Sequence, residues 1–284
     1  MEQAMAELPL AIFTTLAPIG AGAFVALAVA FFTTKFSDEQ LKKIDRMTLV
    51  PLIFLIVGFI ASFVHLSSPL HAINVFSGVG TSPLSNEIAV GSGFLVVAIV
   101  YWALAFAGKL NEKVRKVFIA IVALLALAFA LFVGLAYVIP TIASWNTPLV
   151  PVQVVGFALL GGMCLGSLVL ALAGALEDAG RTAFKTVVLI LTVVGVVLAI
   201  AALFMQINMV SSLENALCAG AALTGPMMPY AIGFAVCAVI AAVLGILAQV
   251  KASPALLAVA VVLAVVGIFL ARLVFYGIQL SIGL

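Results

Sequence analysis

Eight stretches of this chain run for about 20 residues each with almost no charge, and no other feature constrains the fold as strongly. A helix rising 1.5 Å per residue needs roughly 20 apolar residues to cross about 30 Å of hydrocarbon. The stretches are Pro9–Phe32, Leu49–Leu66, Glu87–Ala107, Val117–Ile139, Val150–Gly174, Phe184–Ile207, Met228–Val250 and Pro254–Ile282. Each is expected to be helical, because an unpaired backbone group in lipid costs several kcal/mol and none of the runs alternates as a barrel strand does. Composition agrees: 66% of the 284 residues are hydrophobic and 8% are charged, against about 25% charged in a soluble domain. The reading is an all-α integral membrane protein with a single membrane domain over residues 1–284, since no segment between the runs is long enough to fold alone. Pro51, Pro229 and Pro254 fall at or near helix starts, where the missing N–H is harmless; Pro18 falls inside the first run and predicts a kink.

The few charges then settle orientation. Of the 12 lysines and arginines, all but Arg272 fall at odd-numbered connections: Lys35, Lys42, Lys43 and Arg46; Lys109, Lys113, Arg115 and Lys116; Arg181 and Lys185; and Lys251. By the positive-inside rule these connections face the cytoplasm, so both termini face outward, the periplasmic side of a bacterial inner membrane. Glu2 and Glu7, with no basic residue between them, have the wrong sign for the start of a secretory signal. A net charge of +2 is too small to suggest nucleic acid. Cys164, Cys218 and Cys237 form no CxxC pair and cannot supply the roughly four ligands of a zinc or iron–sulfur site, so no metal is expected in this chain. Small residues crowd the first run at Gly20–Ala28 and the fifth at Gly161–Ala173, four spans apart and in the same direction. That echo fits two four-helix bundles of parallel sense, and it equally fits two unrelated helices suited to close contact.

An ionisable group at or within a span costs several kcal/mol unless paired or hydrated, so the exceptions to the apolar pattern carry the information. His65 ends the second run and Glu87 opens the third, both on the outer side. Arg272 lies 18 residues into the last run from Pro254, a rise of roughly 27 Å, which places it at the same boundary. Tyr276 and Gln279 follow at helical spacing and are expected to share its face. The outer connection Ser67–Asn86 adds His71. Each residue alone fits an interfacial shell, with Glu87 as an acid in a helix cap region.

Together, a base that titrates near neutral pH, a carboxylate and a fixed cation suit a small lipid-soluble molecule that exchanges protons at the membrane surface. A quinol has that chemistry. His65 could take one proton from a quinol hydroxyl and Glu87 the second, while Arg272 balances Glu87 or donates to a quinone carbonyl. Haem fits poorly: its two ligands would have to be His65 and His71, six residues apart at one end of the bundle. A secondary transporter would place polar groups or broken helices at the midplane, where these runs are nearly free of charge.

Three blocks carry a resemblance: Gly58–Ser62 with His65–Pro69, Val79–Gly80 with Leu84–Ala89, and Ala271–Gly277. With Leu8–Thr14, the eight spans and the overall length, the sequence resembles the membrane anchor subunit of dimethyl sulfoxide reductase. The resemblance implies an anchor without haem that oxidises menaquinol near the periplasmic face in anaerobic respiration. The electrons would pass to an iron–sulfur subunit and on to a molybdopterin catalytic subunit, so the anchor would not itself act on the terminal substrate. It also implies quinol-binding roles for His65 and Glu87, with Arg272 and Tyr276 matching the C-terminal pattern. From the fourth to the seventh run the match is one of character only, which leaves open an anchor of another molybdenum oxidoreductase.

Overall fold

The computed structural model describes residues 2–64 and 69–281, without the side chains of residues 2, 3 and 69–72. Eleven α-helices occur among them: α1 Glu2–Ala6, α2 Leu8–Thr33, α3 Asp38–Met47, α4 Leu49–Val64, α5 Pro83–Phe106, α6 Glu112–Leu135, α7 Leu149–Leu172, α8 Leu176–Gly180, α9 Ala183–Ser211, α10 Gly220–Lys251 and α11 Pro254–Gly277. A 3-10 segment, Pro69–Gly78, precedes α5. No strand forms among the described residues, and eight helical stretches are long and apolar enough to cross a membrane.

Two of these helices are inside and six are outside. The apolar windows of α2 and α7 are each 83% buried, whereas those of the others are 28–44% buried. The reason is the small-residue stripes, which face one another. A Cβ placed on Gly22 would lie 1.8 Å from the Ala158 carbonyl oxygen, and one on Gly162 would lie 2.3 Å from the Gly22 backbone. Gly161 meets Ile19 and Gly166 meets Ala26, so contacts advance together along both helices and the pair is parallel. With no hydrophobic drive between helices in lipid, close backbone approach is what makes such a pair favourable. Around this pair, α4 and α6 pack on α2, α9 and α11 pack on α7, and α10 lies along α11. Ile60, Leu124, Val197 and Val262 stay exposed on the outer helices. In water such patches would be a liability; in lipid they are solvated.

Seven of the helices that the apolar runs anticipated begin or end within a few residues of the expected places, and the main departure is α10. It starts at Gly220, ahead of the expected Met228, so Pro229 lies well inside the helix along with Pro226 and not at its start. Pro51 and Pro254 are in first turns, and Pro18 is within α2. A proline inside a helix leaves the carbonyl four residues back without its N–H partner; for Pro18 that carbonyl belongs to Thr14. Cys164 is buried, with Sγ 3.9 Å from the Ala241 carbonyl, while Cys218 and Cys237 are partly exposed.

The two ends of the bundle are built differently. At one end, here termed the lysine end, polar residues cap the starts of α3, α6, α9 and α11: Ser37, Asn111, Thr182 and Ser253 each accept from a first-turn N–H. Gln40 donates to the Gly174 carbonyl and to Asp178, and Thr34 meets Thr182, which tie successive connections together. Between α3 and α6, Arg115 and Asp45 form a two-pronged ion pair, with Nη2 to Oδ2 at 2.9 Å and Nη1 to Oδ1. At the opposite end α1, the segment 136–148 and the residues after α11 close over the helix ends.

Candidate functional site

Arg272 is the largest fully buried side chain in the described protein, 0% exposed at the C-terminal end of α11. A guanidinium that deep needs partners, and neighbouring elements supply them. Nε donates to Thr14 Oγ1 of α2 at 2.8 Å, and Nη2 donates to Tyr276 Oη, one turn on in α11, at 3.2 Å. The guanidinium carbon lies 4.0 Å from the centre of the Phe275 ring, 5.0 Å from that of Tyr276 and 5.2 Å from that of Tyr137. Such faces stabilise a cation most where water is excluded. The cage is braced from behind by the segment between α6 and α7. Trp145 stacks on Phe275 at 4.9 Å and donates from Nε1 to the Phe275 carbonyl, and the Tyr137 and Tyr276 hydroxyls are 2.6 Å apart. Ser144 Oγ accepts from the Leu280 N–H, and Gln206 of α9 in turn donates to the Ser144 carbonyl. One polar atom is left over: Arg272 Nη1 is buried with no acceptor among the described residues.

Glu87 sits in the first turns of α5 and is 5% exposed. It is not a cap. Ser82 is the N-cap, accepting from the Ser85 N–H, and Pro83 takes the first helical position. Asn86 instead accepts from Gly80, which adopts φ +90°, a conformation open to glycine. No hydrogen bond or ion pair engages the Glu87 carboxylate among the described residues, and the opposite charge that acts on it is that of Arg272. One turn further into the bundle, Gly91 makes room for two rings: a Cβ there would be 2.7 Å from Phe129 and 3.0 Å from Phe59. These rings belong to a column, Phe13, Phe59, Phe129, Phe94 and Phe24, contributed by α2, α4, α5 and α6.

Of the residues singled out from sequence, Arg272 and Tyr276 are brought into direct contact, with Glu87 in electrostatic range. Gln279 is a correction. The helix stops at Gly277, so Gln279 does not continue the Arg272 face; the backbone turns instead to pair with 142–144, through the Ile142–Ser281 bridge and the Ser144–Leu280 bond. His65 lies outside the described residues, and so does the side chain of His71. Thr14, Tyr137 and Trp145 were missed. Thr14 is a neutral hydroxyl in an apolar helix, and Tyr137 and Trp145 carry no charge; the signal that could have found them is their position at the same boundary as Arg272.

The chemistry follows from what is unsatisfied. Unpaired polar groups in a dry interior cost about 1–3 kcal/mol or more each. Arg272 Nη1 is a buried N–H donor with no acceptor among the described residues, and the buried Glu87 lies within electrostatic range of Arg272. They suit a ligand that presents both an O–H to donate and an oxygen to accept. Among the described residues no three His, Cys, Asp or Glu side chains lie together as metal ligands would.

Residues 1–278 match the family described as DMSO reductase anchor subunit (DmsC). The sequence is 33% identical to a subunit of the anaerobic dimethyl sulfoxide reductase of Escherichia coli, over 98% of this protein and 96% of that one. It is 34% identical to the corresponding subunit of the Haemophilus influenzae enzyme over 58% of this protein and 59% of that one. To the YnfH subunit of an anaerobic dimethyl sulfoxide reductase of Escherichia coli it is 33% identical over 63% and 61%. With its eight apolar helices, the protein belongs to the dimethyl sulfoxide reductase anchor subunit family, a multi-pass inner-membrane component of a multi-subunit reductase.

Proposed function

We propose that this anchor binds and oxidises menaquinol at the Glu87–Arg272 site, near the periplasmic face, and passes the electrons to an iron–sulfur subunit. From there they would reach a molybdopterin catalytic subunit that reduces dimethyl sulfoxide or a related acceptor in anaerobic respiration. The observation that carries the reading is Arg272 Nη1, buried with no acceptor among the described residues, with the buried Glu87 carboxyl in its electrostatic range. Oxidising a quinol removes two electrons and two protons and turns two hydroxyls into carbonyls. Glu87 is disposed to accept a hydroxyl proton, and Nη1 to donate to an oxygen as it becomes a carbonyl. The phenylalanine column offers an apolar floor for a flat ring. His65, next in sequence after the last residue of α4, is assigned the second proton.

The same reading has both termini periplasmic and the lysine end cytoplasmic, by the placement of eleven of the 12 basic residues. It groups α2, α4, α5 and α6 in one four-helix half and α7, α9, α10 and α11 in the other, joined along the glycine faces of α2 and α7.

The test uses the assembled complex in membranes. Glu87→Gln keeps the side-chain shape and removes the proton acceptor, so menaquinol-dependent turnover is expected to fall about 100-fold, the low end for losing an acid–base group. Turnover with an artificial dye that reduces the partner subunits directly reads how much complex is assembled. Normal menaquinol turnover in this variant would overturn the assignment. Co-purification of iron–sulfur and molybdenum signals with the anchor separates this reading from a transporter.

A further inference from the structure

Tyr137 lies outside every helix, in the connection after α6, yet its hydroxyl is 2.6 Å from that of Tyr276. Its ring packs edge-on against Trp145 at 5.5 Å and Phe275 at 5.2 Å, and it is one of the three rings around the Arg272 guanidinium. Nothing in the menaquinol reading so far uses it.

Hydrogen-bond accounting gives it a role. Arg272 carries five N–H donors and no acceptor, so every contact it makes is a donation. Thr14 Oγ1 accepts from Nε and passes its own hydrogen back to the Leu10 carbonyl at 2.7 Å. Tyr276 Oη accepts from Nη2, and a phenol has a single hydrogen to place. Donation running away from the cation is the favoured polarity, each bond strengthening the next. The 2.6 Å contact allows either hydroxyl to donate, and that polarity makes Tyr137 Oη the acceptor. Arg272 is thus held on both sides by hydroxyls whose hydrogens are already spent, and Nη1 is the nitrogen left with no acceptor at all among the described residues.

We infer that Tyr137 is a positioning residue of the quinol site: by accepting the Tyr276 hydrogen it fixes Tyr276 as an acceptor for Arg272, which aims Nη1 at the carbonyl oxygen of the bound quinone. The inference rests on the menaquinol reading. Without the Tyr137 hydroxyl, the Tyr276 hydrogen has to find another acceptor. The ligand oxygen becomes a competitor for it, and the donor set that the ligand meets changes.

Tyr137→Phe tests this in the full complex, because it keeps the ring contacts with Trp145, Phe275 and Arg272 and deletes one oxygen. Two quantities are measured: the dissociation constant of a fluorescent hydroxyquinoline-N-oxide quinol analogue, and KM and kcat for menaquinol. Both are normalised to the amount of complex that dye-donor activity reports. Losing one neutral hydrogen bond of the relay is expected to weaken analogue binding about fivefold and to raise KM by a similar factor. Arg272→Lys, which keeps the charge but loses the fork, serves as the second arm and is expected to weaken both more strongly. If Arg272→Lys impairs binding and Tyr137→Phe does not, the inference fails and the menaquinol reading stands. If neither variant changes binding or KM, the menaquinol reading fails with it. A loss in Tyr137→Phe confined to the amount of assembled complex, with KM and analogue affinity unchanged, would make Tyr137 a packing residue and overturn the inference.

Discussion

This bundle buries two arginines, and they are opposites. Arg115, at the lysine end, is met prong for prong by the Asp45 carboxylate, with the Phe31 ring 5.4 Å from the guanidinium carbon. Arg272, at the other end, is held by two hydroxyls and three ring faces, and among the described residues has Nη1 without an acceptor and no carboxylate in contact. Both touch α2, Arg115 beside Phe31 and Arg272 at Thr14, 17 residues apart or roughly 25 Å along the axis. Among the described residues, one buried cation is thus completed by its own anion at one end, while the other keeps Nη1 without an acceptor and meets Glu87 only at a distance. A saturated ion pair specifies structure. An unsaturated one is what the proposed site requires, because a ligand can supply what the fold withholds.

The comparison breaks most sharply if the saturated end is unsaturated. Arg115→Ala leaves the Asp45 carboxylate buried and unpaired, a change that typically costs about 3–5 kcal/mol. The expected outcome is a large drop in folded anchor recovered from membranes, with an unchanged KM for menaquinol in whatever assembles. At the other end the sign reverses. Glu87 is buried and has only the distant charge of Arg272 acting on it among the described residues, so Glu87→Gln is expected to leave thermal stability unchanged or slightly raised while turnover falls. A stability loss on the scale of Arg115→Ala would mean that Glu87 is bonded in the native protein and that the two ends are alike. Between these lies the joint replacement Arg115→Met with Asp45→Leu. Exchanging a buried pair for apolar groups of similar size is often neutral, so most of the single-variant loss should be recovered in the melting temperature of the purified complex.

Much of this architecture is legible in the sequence, and the unread parts share a physical cause. Spans announce themselves because lipid forces long apolar helices, and Arg272 and Glu87 stand out because charge is costly there. Hydroxyls are cheap by comparison, so Thr14 and Tyr137 left no mark although they hold the arginine. The glycine stripes at Gly20–Ala28 and Gly161–Ala173 were visible as a resemblance between two helices. That they are the two faces of one contact depends on a pairing across more than a hundred residues, which local pattern does not encode. Gln279 failed for a related reason: spacing assigns a face only while the helix lasts, and the backbone leaves the helix at Gly277 to join 142–144. The early start of α10 has a like cause: Pro229 reads as a helix start, yet it lies inside the helix together with Pro226.

The smallest effect tests whether the two ends are independent. Asn111 caps α6 at the lysine end through the Val114 N–H at 2.9 Å, and the same helix, 24 residues long from Glu112, leads at its far end to Tyr137. Replacing an exposed capping residue with alanine costs about 1 kcal/mol, because water takes over part of the bond. Asn111→Ala is therefore expected to lower the thermal midpoint of the complex by a few degrees at most and to leave menaquinol KM where it was. The cap fixes only the first turn, and the helix beyond it is held by α2, α5 and α7 along its length. A shift in KM would mean that movement at the capped turn reaches Tyr137 through a rigid α6. The saturated end would then be tuning the unsaturated one and not merely anchoring the helices that carry it.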